Sequence, residues 1–301
     1  MKPTTVFLTL VTEPGEIPLA QRMMDSLRTF GGDMNMCPVW LFETDPVGAP
    51  CGSLAGEGVD VFTLHAPDAV RRYFLGNKVW ACAEAEAMAG SAVRSLVWID
   101  SMCLVVQPPL LYDLGDAFDA AVRPVHIQNV GLRADAPLDG YWRAIYRAVG
   151  VDDISATVES FVDGQTLRAY FNSHAFAIRP AKGLMRRWAE LFESFVRDAA
   201  FQVAHCGDAR HRIFLFQTVW SALLATHLDW ERIRILPPEY NYPYNLHASV
   251  PTERRARALN DLVTVVFEDR SMDPAAMDDI EIREPLRTWL AAYGGTTDEH
   301  R

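Results

Sequence analysis

The chain has 301 residues, half of them hydrophobic and 22% charged, with a formal net charge of −11 at pH 7 and a pI near 5.2. That is the composition of a globular protein with a sizeable core, in one large domain or two modest ones. The acidic balance excludes nucleic acid as an expected partner, since phosphate binding calls for a basic surface, and no apolar run reaches the roughly 18 residues of a membrane span. The first residues carry no signal-peptide pattern. Five cysteines (Cys37, Cys51, Cys82, Cys103 and Cys206) at irregular spacing give no disulfide framework, so reduced thiols in a cytoplasmic protein are expected.

In chain order, Thr5 to Val11 is a strand candidate closed by Glu13-Pro14-Gly15. Leu19, Ala20, Met23, Met24, Leu27 and Phe30 form an apolar stripe at helical spacing that stops at Gly31-Gly32. Val39 to Phe42 reads as a second strand, a turn-rich loop runs through Pro46, Gly48, Pro50 and Gly52, and Val59 to Leu64 alternates like a third strand. Lys78 to Ala89, rich in Ala and Glu, predicts a helix feeding the apolar stretch Leu96-Val97-Trp98-Ile99-Asp100. Strands alternating with helices are the grammar of an α/β sheet. Beyond Pro109 come a short strand at Ala120 to Val122, an ordered loop from Val125 to Asp139 and a helix from Tyr141 to Val149.

Tyr170 to Ile178 reads as one strand, which would set Tyr170, Asn172, His174, Phe176 and Ile178 on a common face. Leu184, Trp188, Leu191, Phe192 and Phe195 make an amphipathic stripe, and Ile213 to Ala225, apolar nearly all round, predicts a buried helix. Ile233 to Leu236 leads into the aromatic- and proline-rich loop Pro237 to Tyr244, Leu262 to Phe267 is a last strand, and Leu286 to Tyr293 a terminal helix.

Asp100 closes a buried strand, and ligands of open α/β sheets bind beyond the carboxyl ends of strands. The same position also suits a turn residue. Asn172 and His174 together suit a sugar, and a histidine there is open to base chemistry near neutral pH; packing in the core is an equal alternative. Gln217 is the one amide in a hydrophobic helix, and burying it unpaired would cost about 1–3 kcal/mol, so it requires a partner in the fold or in a ligand. The Tyr- and Asn-rich loop from Glu239 to His247 fits carbohydrate or packing equally well. His205-Cys206-Gly207-Asp208 with His211 lacks a recognised zinc spacing and reads as a polar turn, and Cys103 as an inert buried thiol. No glycine-rich phosphate loop is present.

With these residues in place the chain resembles the GT-A-fold, nucleotide-sugar-dependent glycosyltransferases, particularly the glycogenin and galactinol-synthase-like group. The first strand ending at Thr9 to Thr12, Lys78-Val79-Trp80-Ala81, Leu96 to Pro109, Phe171 to Pro180, Phe216-Gln217-Thr218 and Leu236-Pro237-Pro238-Glu239-Tyr240-Asn241 come in that group's order. In the group two aspartates of a DxD triplet hold Mn²⁺ or Mg²⁺. The triplet here is Asp100-Ser101-Met102, and a thioether is the wrong donor for a hard cation. The group's C-terminal histidine ligand has no counterpart near Leu262 to Asp269, Phe216 replaces the acid expected beside Gln217, and His174 stands where glycine is usual.

The resemblance implies a single two-lobed α/β domain over residues 1–250, with a mixed, mainly parallel, Rossmann-like central sheet flanked by helices. Its nucleotide-side lobe is 1–110, its acceptor-side lobe 111–250, and residues 251–301 form an extension packed on it. It implies donor contacts from Thr9, Thr12, Lys78, Asp100 and Ser101. The catalytic centre would be Gln217 with Asp100, His174 and Asn172, and acceptor contacts would come from Tyr240, Asn241 and His247. The expected activity is sugar transfer from a nucleotide-diphospho-sugar to an acceptor without a tightly bound metal; Mn²⁺ or Mg²⁺ is the less favoured case. An inactive binding module, or other chemistry around Asp100 and His174, is the alternative, and a homodimer is left open.

Overall fold

The computed structural model describes residues 5–44 and 51–293; the expected turn at Pro46, Gly48 and Pro50 lies outside them. Among the described residues twelve strands run in the order β1 Thr5–Val11, β2 Val39–Thr44, β3 Val59–Leu64, β4 Ser95–Ile99, β5 Cys103–Val105, β6 Ala120–Val122, β7 Thr157–Glu159, β8 Thr166–Arg168, β9 Ala175–Ile178, β10 Ile233–Ile235, β11 Tyr242–Pro243 and β12 Thr264–Val266. The helices are α1 Ile17–Phe30, α2 Asp68–Arg71, α3 Gly76–Met88, α4 Gly140–Val149, α5 Leu184–Arg197, α6 Ala199–His205, α7 Ala209–His227 and α8 Leu286–Ala291.

Seven strands form the central sheet, in the order β10-β6-β9-β4-β1-β2-β3. All pairings are parallel except those of β9, which runs against both β4 and β6. A sheet covered on both faces needs strands apolar on both sides, and β4 shows why its sequence is a continuous apolar run. Leu96 and Trp98 enter the core under α3, α4, α5 and α7, whereas Val97 and Ile99 enter the core under α1. Val6 and Leu8 against Phe7 and Val11 divide in the same way on β1.

β5, β11 and β12 make a second, three-stranded sheet, and its core takes in Leu104, Val106 and Phe161 together with Leu259, Ile282, Leu286 and Leu290. The C-terminal segment is thereby built into the wall beside the end of β4. β7 and β8 pair as a small hairpin that the sequence pattern does not reveal.

The expected long strand ending at Ile178 is shorter in fact. Phe171 makes an isolated bridge to Pro124, the chain bends at 172–174, and β9 begins only at Ala175. The bend has a local cause: the Asn172 side-chain Oδ1 accepts the His174 backbone N–H at 2.8 Å, which replaces a ladder bond with a turn. Asn172 and His174 therefore do not share a flat strand face with Phe176.

Two features fix the start of α3. Leu75 lies in the left-handed region at φ 56°, and Gly76 packs so closely that a Cβ there would stand 2.0 Å from the Val70 carbonyl oxygen. At its other end α3 holds α5: the buried Glu86 carboxylate accepts from the backbone N–H groups of Met185 and Arg186, both at 3.0 Å, in the first turn of α5. Glu86→Ala should destabilise the protein by about 1–3 kcal/mol, because two N–H groups lose a charged partner. Glu86→Gln should recover part of that loss in urea unfolding followed by circular dichroism.

Candidate active site

The site begins with a turn at the carboxyl end of β4. The Asp100 N–H donates to the His174 carbonyl at 2.9 Å, and the Cys103 N–H returns to the Asp100 carbonyl at 3.0 Å. This closes the loop between β4 and β5 and leaves the Asp100 carboxylate facing three donors. Lys78 Nζ donates to both oxygens at 2.9 Å, the Trp98 indole N–H to Oδ1 at 2.7 Å, and His174 Nδ1 to Oδ2 at 2.9 Å. Lys78 is only 2% exposed, gives a further bond of 2.6 Å to the Ser173 carbonyl, and lies over the Trp98 ring at 5.0 Å.

Burial opposes ionisation of Asp100, but the Lys78 charge and the His174 hydrogen bond outweigh it and draw its pKa below the usual value. His174 is likewise penalised by burial, yet its bonds to Asp100 and Glu268 raise its pKa to about 8. Its Nε2 lies 3.2 Å from Glu268 Oε1. With a carboxylate on each nitrogen the ring is an imidazolium, donating from both sides. In this protonated form neither nitrogen has a free lone pair, so the ring acts as a hydrogen-bond donor. Glu268 sits just past β12 in a left-handed conformation at φ 47°, and its carboxyl is held below the usual range first by the His174 hydrogen bond.

A second network lies behind the first. Burial, with repulsion from His174 and Arg123, lowers the His126 pKa to about 3, so the ring is neutral. Its Nε2 donates to the Asn241 carbonyl at 2.8 Å, leaving Nδ1 to accept from Asn172 Nδ2 at 3.4 Å. Asn172 Oδ1 then accepts from Asn241 Nδ2 at 2.7 Å and from the His174 N–H. Gln217, on buried α7, finds its partner in Ser173, whose hydroxyl donates to Gln217 Oε1 at 3.1 Å.

These groups surround two adjoining cavities. The larger, about 450 Å³, has Thr12, Lys78, Asp100, Ser101, His174 and Gln217 in its lining, with Glu16, Glu268 and Asp269 and the apolar Phe74, Met102 and Phe214. The smaller, about 220 Å³, shares His174, Phe214, Gln217 and Glu268 with it and adds His126, Asn172 and Asn245. Asp100 and Gln217 thus face one hollow although 117 positions separate them.

Four residues singled out in the sequence line neither cavity. Thr9 is fully buried in β1. Tyr240 accepts the Leu111 N–H on its hydroxyl, Asn241 braces Asn172 and Thr264, and His247 is fixed between the Tyr242 hydroxyl and the Asp279 carbonyl. The acceptor contacts expected of those three residues do not fit buried side chains that line neither cavity and bond to other parts of the protein. His205, Cys206, Asp208 and His211 form no metal centre: Asp208 caps α7 and pairs with His211, and the described residues hold no group of three ligands placed for a metal. Glu268 and His126 escape the sequence reading. An acid just beyond a predicted strand was a visible signal for Glu268, whereas nothing local marks His126.

A family described as the Rhodobacterales glycosyltransferase domain matches residues 10–210, more than half of the chain. The chain belongs to this glycosyltransferase family. Among solved structures, this glycosyltransferase is similar to the galactosyltransferase LgtC in complex with donor and acceptor sugar analogs, at 11% identity and a TM-score of 0.57. The alignment covers 96% of this chain and 95% of LgtC. An active-site mutant of LgtC gives 10% identity over the same extents, with the same TM-score. The bifunctional glycosyltransferase WbbM aligns with 98% of this chain but 52% of its own, at 11% identity and a TM-score of 0.54. At such identities the likeness is one of fold, the GT-A fold. No curated protein matches in sequence. No helix among the described residues is long and apolar enough to cross a membrane.

Because the His174 pKa is raised on folding, the protonated ring stabilises the folded glycosyltransferase fully below about pH 6.5. That contribution, up to about 2 kcal/mol, is lost as pH rises through about 8. Urea midpoints from pH 6 to 9 should fall across this window in the wild type and flatten in His174→Gln. Asp100→Asn should cost about 3–5 kcal/mol, since it leaves buried Lys78 without its counter-charge.

Proposed function

We propose that this glycosyltransferase binds a nucleotide-diphospho-sugar in the larger cavity and an acceptor hydroxyl in the smaller one, and that Asp100-Ser101-Met102 is a degenerate DxD of the glycogenin and galactinol-synthase-like type. The observation that carries the reading is the shared wall: His174, Gln217 and Glu268 border both chambers, so a sugar lying against Gln217 would be within reach of groups from either side. Lys78 and the His174 imidazolium are the cations in the lining; their N–H groups are already engaged by Asp100, Ser173 and Glu268, so they would act on a diphosphate through their charge. The Gln217 oxygen accepts from Ser173, which turns the nitrogen side of its amide toward the role of donor to the sugar.

The donor chemistry around Asp100 does not fit a tightly held divalent cation. Both carboxylate oxygens already accept from Lys78, and Oδ1 and Oδ2 accept in addition from Trp98 and His174. A metal would have to expel a lysine that is 2% exposed, and the next position of the motif offers the thioether of Met102. We therefore assign leaving-group stabilisation to Lys78 and His174. Four carboxylates line the larger cavity (Glu16, Asp100, Glu268 and Asp269) against these two cations, so donor affinity rests on specific contacts rather than on a positive field.

Calorimetry with UDP-, GDP- and ADP-sugars should find a donor that binds equally well, within about threefold, in EDTA and in Mn²⁺. Failure of all three to bind would overturn the transferase reading, and strict dependence on Mn²⁺ would overturn the assignment to Lys78 and His174. Gln217→Ala should lower the rate of nucleotide release by about 10² to 10³ with donor binding little changed.

A further inference from the structure

A third cavity, of about 460 Å³, opens beside the same sheet edge, where β6 ends. Its lining is Arg123, Glu159, Phe161, Pro238, Glu239, Glu253 and Arg254. Arg123 follows β6 directly, is 5% exposed, and lies 4.7 Å above the Phe161 ring. Its Nε and Nη2 meet no hydrogen-bond partner. Burial lowers its pKa to about 10, against the pull of nearby Glu239. Only the Phe161 ring and the charge of Glu239 offset the burial of this guanidinium, and ligand oxygens would match its remaining donors.

The position of the cavity connects it to the site. The Arg123 carbonyl accepts the Asn172 N–H at 2.8 Å, and Phe161 and Val162 donate to the carbonyls of Val125 and His126, at 3.1 and 2.7 Å. The Val125–His126 backbone that lines the smaller cavity therefore connects in sequence and by hydrogen bonds to the floor of the third. The two arginines and three glutamates leave the lining net negative, which disfavours a phosphate. Arg254 already bonds Glu159 at 2.5 Å, while Glu239 and Glu253 are exposed on the rim. Guanidinium donors beside carboxylate acceptors, with an apolar ring and a proline between them, match a neutral polyol, whose hydroxyls both donate and accept.

We propose that this cavity is an outer subsite for a neutral sugar unit of an extended acceptor glycan, with Arg123 donating to it and Glu239 and Glu253 accepting from it. The proposal rests on the reading of the smaller cavity as the acceptor side, and it adds that the acceptor is an oligosaccharide longer than the reacting unit.

The test uses the full chain with maltohexaose, cellohexaose and chitohexaose as probes, inorganic phosphate as the control anion, and a nucleotide-sugar titrated separately. At least one hexasaccharide should bind, and Arg123→Met and Glu253→Gln should each weaken it by about tenfold or more while nucleotide-sugar affinity stays unchanged. Glu253 is exposed, so its variant keeps the test valid if Arg123→Met fails to fold. Absence of hexasaccharide binding, binding insensitive to Glu253→Gln, or phosphate bound in place of sugar overturns the subsite. Loss of nucleotide-sugar binding in the wild type would instead sink the transferase reading, so the two failures are distinguishable.

Discussion

The ion pair of Lys78 and Asp100 is the constraint on which the rest of the site depends. A lysine at 2% exposure can keep its charge only beside a counter-charge, and here it has both oxygens of one carboxylate and a backbone carbonyl. Those three bonds tie the first turns of α3 to the end of β4 and to the bend before β9. The left-handed Leu75 and the close approach at Gly76 set where α3 begins, and so where the ammonium arrives. Helix start, strand end and bend are thus a single unit.

From this pair the charges alternate outward: Lys78 positive, Asp100 negative, His174 positive, Glu268 negative. Each member lowers the cost of burying its neighbour, and the chain of contacts ends on a residue of the C-terminal segment. That segment is anchored by β12, which pairs with β5 immediately after the Asp100 turn. The Asp100 carboxylate is thereby saturated with protein cations and an indole N–H. Beside this charged array, the amide of Gln217 is a neutral polar group facing both chambers.

Much of this was legible from the chain alone, for stated reasons. The apolar run at Leu96 to Ile99 is continuous because β4 is covered on both faces, and continuity of that kind announces a central parallel strand. The stripe of α5 and the nearly uniform apolarity of α7 likewise report one-sided and all-round burial. Gln217 stood out because a lone amide in such a helix must be paired, and it is. What misled was periodicity across 170–178, where a side-chain bond from Asn172 turns the backbone and ends the alternation. The loop of tyrosines and asparagines misled by composition, since the Tyr240 hydroxyl, the Asn241 amide nitrogen and both His247 ring nitrogens are spent on the protein's own backbone and side chains.

The sequence by itself determined the layered α/β architecture, the strand whose end carries Asp100, the buried helix with its single amide, and the likeness to GT-A-fold glycosyltransferases. These are properties of local pattern: hydrophobic period, turn residues and the order of motifs. Only the tertiary structure decided that Asp100 is already neutralised by Lys78, that His174 is held charged between two carboxylates, and that His126 and Glu268 belong to the site at all. Those outcomes depend on distances between residues as much as 115 positions apart, as His126 and Asn241 are. Electrostatic energy falls with separation in space, and separation along the chain carries no information about it.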